Sequence, residues 1–225
     1  MKKIITTALI VTCLFQSACV TTLQPLVTYD TIITDDRITG KWKSDEREIT
    51  VLPFTKSDFY KNNKNEFEKG TKGKERSAKE IRDSILFSKA YLIEYTKDGF
   101  KYELLGGIIR INGQLFMNFT PVNSASVTNS SEEININPGN SLSGNTIAKV
   151  EMKSSTTIKL DFLDGGFIYD QVKAGHLKIK NEKDDLYDTF LITASTVELQ
   201  KFLEKYGKDN RFYNKENSVI LNRKS

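Results

Sequence analysis

Residues 91–121 read YLIEYTKDGFKYELLGGIIRINGQLFMNFTP, and this run decides the fold. It contains Asp98-Gly99 and Asn112-Gly113, dipeptides suited to type I′ hairpins because both central residues need positive φ. If both are two-residue loops, Tyr95 faces Tyr102, Ile93 faces Leu104 and Tyr91 faces Gly106. On the other side Ile108 faces Met117 and Gly106 faces Phe119. Side chains alternate across a strand, so this register places whole sets on one face. That set is Tyr91, Ile93, Tyr95, Tyr102, Leu104, Gly106, Ile108, Leu115, Met117 and Phe119. Two independent turns select the same apolar face. Gly106-Gly107 marks a bend, with Tyr91 and Phe119 flanking Gly106. The opposite face (Glu94, Lys101, Glu103, Arg110, Asn118) is mostly polar, interrupted by Leu92, Leu105, Ile109 and Phe116. A one-sided, bent antiparallel sheet predicts a mainly β protein: a barrel or a strongly curled half-barrel.

The start of the chain is different in kind. Lys2 and Lys3 precede an apolar run over residues 4–15, too short to span a bilayer and suited to a secretory signal. It ends in Gln16-Ser17-Ala18-Cys19, which resembles the lipobox of bacterial lipoproteins except at Gln16, where an aliphatic residue is usual. The resemblance implies a signal peptide over residues 1–18, cleavage before Cys19 and acylation of Cys19, palmitate among the chains. The other cysteine, Cys13, lies inside the signal, so no intramolecular disulfide can form in the mature chain. Residues 19–36, rich in threonine and holding Pro25, read as a structureless tether. Val20 after Cys19 follows the sorting habit of outer-membrane lipoproteins facing the periplasm.

Removing 18 of the 225 residues leaves 207, enough for one domain over residues 37–225 with a full core. Net charge is +4, and +2 without Lys2 and Lys3, too weak a balance to argue for nucleic acid. Trp42 is the sole tryptophan and predicts a buried anchor at the first strand; residues 48–54 read as the second. Residues 56–79 hold eight Lys/Arg against four Asp/Glu and read as an exposed basic insertion. Ser77 and Glu80 have capping-box spacing before Ile81 and Ile85, which predicts a short helix. Residues 122–145 are dominated by Asn, Ser, Thr and Gly and read as a second surface loop. Ala148, Val150 and Met152 would align with Ile158, Leu160 and Phe162 through a three-residue turn at 154–156. A short helix is expected over 167–174, strands over 177–179 and 189–193, and a charged turn over 181–188. The strongest helix is 196–206: Ser195 and Glu198 form its box, Gly207 stops it, and Leu199, Phe202, Leu203 and Tyr206 form one stripe. Gln200, Lys201, Glu204 and Lys205 are expected to face out. It is the one C-terminal amphipathic helix of the expected fold. Residues 218–222 can add a closing strand.

Three pieces together resemble a known group: Gly40-x-Trp42, the run 113–121 (GQLFMNFTP), and LITAST (191–196) leading into Glu198-Leu199-Gln200-x-Phe202-Leu203. They are similar to uncharacterised bacterial lipoproteins with a lipocalin-like β domain, in which a Gly-x-Trp tryptophan closes one barrel end. Asn118 stands where an acid is expected, and the 56–79 insertion is unlike the pattern. The resemblance implies fold and address, and no activity.

Chemistry is thin. His176 is the single histidine, so an ordinary zinc site or histidine-based triad lacks its parts. Glycine-rich phosphate loops, nucleophile elbows and calcium loops do not match. Glu94, Glu103, Asp161 and Asp164 lie on or near strands, but nothing singles out a catalytic pair. The expected protein is therefore not an enzyme and needs neither metal nor cofactor. It is a lipid-anchored envelope lipoprotein acting as a binding or structural module. A small apolar ligand would be lined by Tyr91, Tyr95, Tyr102, Met117 and Phe119. The alternative is docking on another envelope component through the basic insertion, with a hydrolase third.

Overall fold

The computed structural model describes residues 20–44, 47–62, 64, 77–97, 100–126, 144–184 and 189–224. Eleven strands are seen: β1 (Thr21–Thr22), β2 (Gly40–Ser44), β3 (Arg47–Pro53), β4 (Tyr91–Lys97), β5 (Phe100–Ile111), β6 (Gln114–Ser126), β7 (Asn145–Met152), β8 (Thr157–Phe162), β9 (Asn181–Asp184), β10 (Thr189–Ile192) and β11 (Val219–Arg223). The helices are α1 (Asp58–Asn62), α2 (Ala78–Lys89), α3 (Gly165–Lys173) and α4 (Thr196–Tyr206).

Asn112 and Gly113 have φ of 48° and 80°, both in the positive range that a type I′ turn requires. The strands that they join pair as the turn dictates, Ile108 opposite Met117 and Gly106 opposite Phe119. On the other edge of β5, Tyr95 meets Tyr102, Ile93 meets Leu104 and Tyr91 meets Gly106. Asp98 and Gly99 lie outside the described residues. The β7–β8 pair also follows the expected register, with Ala148, Val150 and Met152 opposite Phe162, Leu160 and Ile158. β6 pairs with β7, and β11 bridges β8 to β2. The eight strands β2 to β8 and β11 thus form a closed antiparallel barrel. Closure removes the free edges that an open sheet would expose.

The bend is shared between two devices. The β5–β6 register shifts between Glu103 and Leu104 of β5, whose partners are Asn123 and Pro121, so Val122 of β6 is the extra residue of a bulge. Proline lacks the ladder donor and is tolerated there. Gly106 and Gly107 are needed for close approach. A Cβ on Gly106 would lie 2.8 Å from Ile93 Cδ1 inside the barrel, and one on Gly107 would lie 2.6 Å from Val27 Cγ2 outside it.

The described residues form two cores. The lumen holds Trp42, Val51, Tyr91, Ile93, Ile108, Met117, Ala148 and Leu160, among others. A second core covers part of the barrel's outer face, where Leu92, Ile109, Phe116 and Ile147 pack under α3, α4 and the N-terminal segment. The apolar interruptions on the expected polar face are the floor of this outer core. Arg110 is a correction: it pairs with Leu115 and shares the face of Ile108, so it stands on the lumen side at a rim, exposed.

Residues 20–36 are not a structureless tether. Val20, Thr22, Leu26 and Ile32 are each at most 2% exposed, and β1 pairs with both β7 and β10. Burying each such aliphatic side chain stabilises by about 1.5–3 kcal/mol, which offsets the ordering of a segment without periodicity. The 56–79 insertion begins inside the fold, because Phe59 and Tyr60 of α1 pack on the outer core. Residues 63 and 65–76 lie outside the described residues. Likewise β6 runs to Ser126 and β7 starts at Asn145, so the loop expected over 122–145 is shorter; residues 127–143 lie outside the described residues.

The helical content exceeds one C-terminal helix. α2 has its capping box at Ser77 and Glu80, but Ile81 is 46% exposed and Leu86 and Phe87 make the packing contact instead. α3 starts at Gly165 because Asp164 accepts the Phe167 N–H at 2.9 Å as N-cap. α4 carries its box at Ser195 and Glu198, and buries Leu199, Phe202 and Leu203. Gln200 does not face out; its amide donates to the Leu26 carbonyl at 3.0 Å. The expected charged turn at 181–188 contains β9, whereas 177–179 forms no strand.

Candidate functional site

β2 and β11 meet at Trp42 and Arg223. Trp42 is 1% exposed, and its indole N–H donates to the Ile38 carbonyl at 2.8 Å. The Arg223 guanidinium lies 4.3 Å over the Trp42 ring and donates to the carbonyls of Thr39 and Arg37 at 3.0 and 2.7 Å. Such stacking contributes about 0.5–2 kcal/mol. Nothing in the sequence singled out Arg223.

The expected ligand-lining residues divide into two groups. Tyr91, Met117 and Phe119 are in the lumen, 2%, 4% and 8% exposed. The Tyr91 hydroxyl accepts the Asp35 N–H at 2.7 Å, and burial pushes its phenol pKa up. Tyr95 and Tyr102 stack with ring centres 5.0 Å apart and are half-buried; burial pushes Tyr95 up as well. Side chains fill the space around Gly106, with Ile93 Cδ1 and Met117 Sδ both in reach of its Cα hydrogens. Lumens of small barrels are commonly filled this way. A larger residue here must therefore overpack. Met117→Trp should cost about 1–3 kcal/mol of stability, read from a urea melt, whereas an empty lumen would accept the indole at little cost.

The outer seam carries a buried polar node. Asn118 Oδ1 accepts the Leu26 N–H at 2.9 Å, and its Nδ2 donates to Asn145 Oδ1 at 3.1 Å and Thr120 Oγ1 at 3.0 Å. The Asn145 amide in turn donates to the Thr22 and Leu23 carbonyls, both at 3.3 Å. These amides satisfy backbone groups that would otherwise be orphaned where the N-terminal segment crosses the barrel.

The carboxylates singled out by the sequence have structural partners. Glu94 and Glu103 share Lys101, at 2.6 and 2.9 Å. Asp161 is buried, which raises its pKa, but ion pairing with Lys159 and the Ser218 hydroxyl outweigh that and hold it low. Asp164 caps α3. His176 is exposed beyond the end of α3. Among the described residues no group of three or more His, Cys, Asp or Glu could hold a metal ion. Cys19 lies outside the described residues, next to the buried Val20.

Outside the barrel an open cleft of about 860 Å³ lies between the 172–180 segment and α4. Leu177 and Phe202 are buried in its floor, with Ile179 and Tyr206 half-buried beside them. Sequence reading expected a strand at 177–179; its alternation is real, but it serves this wall. No family model matches the chain, and no curated protein or solved structure is significantly similar to it.

Proposed function

We propose that this chain is a lipid-anchored lipoprotein of the bacterial envelope, a non-catalytic binding or structural module held at the outer membrane's periplasmic face through Cys19. The observation that carries the reading is the lipobox-like Gln16-Ser17-Ala18-Cys19 directly after an apolar run, and the packing of Val20 bears on where the anchor would lie. Val20 is in the core and β1 is in the sheet, so an acyl group on Cys19 would sit against the folded body with no tether between. A multiply acylated N-terminus would then hold the barrel flush on the bilayer, since several chains bind far more firmly than one. The position of Trp42 on β2, the first strand of the barrel, under Arg223 supports the lipocalin-like form of the barrel. The filled surroundings of Gly106 favour a functional surface outside the lumen. The test is incorporation of labelled palmitate by wild type and Cys19→Ala, followed by membrane fractionation. Label and membrane association are expected for wild type and lost in the variant. An unlabelled wild-type chain would overturn the anchor.

A further inference from the structure

We propose that the cleft between α4 and the 172–180 segment binds a fatty acid, its chain on the apolar floor and its carboxylate at the lysine rim. The two walls are built alike from different secondary structure. Along 177–180 the extended chain alternates, Leu177 and Ile179 toward the floor and Lys178 and Lys180 exposed. Along α4, Phe202 and Tyr206 are four apart on the floor, and Lys201 and Lys205 are four apart on the rim. Four lysines thus surround the opening.

The charge is unbalanced. Among the described residues the cleft has one carboxylate, Glu198, engaged by Lys180 at 3.2 Å and by the Ser195 N–H at 2.8 Å. Lys205 stands 4.9 Å over the Tyr206 ring. Lys178 and Lys201 have no ion-pair partner among the described residues. A ring of ammonium groups over an apolar floor complements a molecule with one anionic end and one greasy body. The volume falls within the range of about 300–1,000 Å³ usual for small-molecule clefts. From Glu198 to Tyr206 the helix wall runs about 12 Å at 1.5 Å per residue, the extent of one medium acyl chain rather than a broad headgroup. Lysine stems can pack along such a chain while their charges stay in water. This inference does not depend on acylation of Cys19.

The test is photocrosslinking of the full chain in bacterial membranes with a diazirine-bearing medium-chain fatty acid, beside the matching diazirine alcohol. Adducts should map to peptides covering 172–180 and 198–206, and the alcohol should label at least tenfold less. Lys201→Glu/Lys205→Glu, and separately Lys178→Glu, should cut labelling by the acid at least tenfold. These side chains are exposed, so melting curves should match wild type and confirm folding. Adducts on β4–β6, equal labelling by acid and alcohol, no labelling, or labelling unchanged in the charge variants would each overturn the proposal.

Discussion

Trp42→Ala should lower the melting temperature by roughly 6–20 °C. Truncating a buried tryptophan costs about 3–5 kcal/mol, and for a domain of this size each kcal/mol corresponds to about 2–4 °C. The site cannot easily collapse to recover the loss. Trp42 sits where β2 meets both β3 and β11, the strand pair that closes the barrel. Its ring supports Arg223, which ties the last strand to the Arg37 and Thr39 carbonyls. Removing the ring therefore leaves a void in the lumen and a loosened closing strand together. Arg223→Ala should be milder, about 1–3 kcal/mol, because the exposed guanidinium's loss leaves carbonyls that water can reach. Thermal melts of both variants check the order. A Trp42→Ala protein as stable as wild type would mean that closure does not depend on this end.

What could be read in advance was local. A two-residue turn such as Asn112-Gly113 sets the register of the strands that it joins, so the pairing of β5 with β6 followed from two residues as far as Leu104 and Pro121, beyond which the bulge at Val122 shifts it. The same holds for the turn between β7 and β8. Capping boxes are equally local, and those of α2 and α4 stand where Ser77 and Ser195 put them. Long-range partners were not legible. Residues 20–36 lack period and contain Pro25, so nothing nearby announces that Leu26 and Ile32 find a ready apolar surface on the barrel's exterior. The hint was on that surface: Leu92, Ile109 and Phe116 are too apolar for a solvated face. β9 was hidden for a related reason. It is the outermost strand of its sheet, and charged residues are what an edge strand tolerates. The lysine-rimmed cleft joins segments some twenty residues apart, each of which reads as ordinary amphipathic sequence by itself.

Asn118→Asp should be about 3 kcal/mol less stable than wild type at neutral pH and should recover much of that loss in acid. The side chain is 2% exposed. Its Oδ1 already accepts from Leu26, and a carboxylate could keep that bond. The other position is the problem. There Asn118 donates to Asn145 Oδ1, and an ionised oxygen would face that acceptor instead. Turning the Asn145 amide would relieve the clash only by withdrawing its donors from the Thr22 and Leu23 carbonyls. Burial and the facing acceptor both favour the protonated acid, so the folded-state pKa of the new group lies above its unfolded value of about 3.9. A raised folded pKa means that the folded state binds the extra proton. The variant's stability relative to wild type is therefore greatest below the unfolded pKa and is lost as pH rises through the folded one. Melting curves of both proteins at pH 4 and pH 7 read this directly, and hydrogen exchange at Leu26 should show the N-terminal segment loosening first. Equal stability across that range would mean that the node takes an acid without strain, and that the amide at this position has no part in holding the segment down.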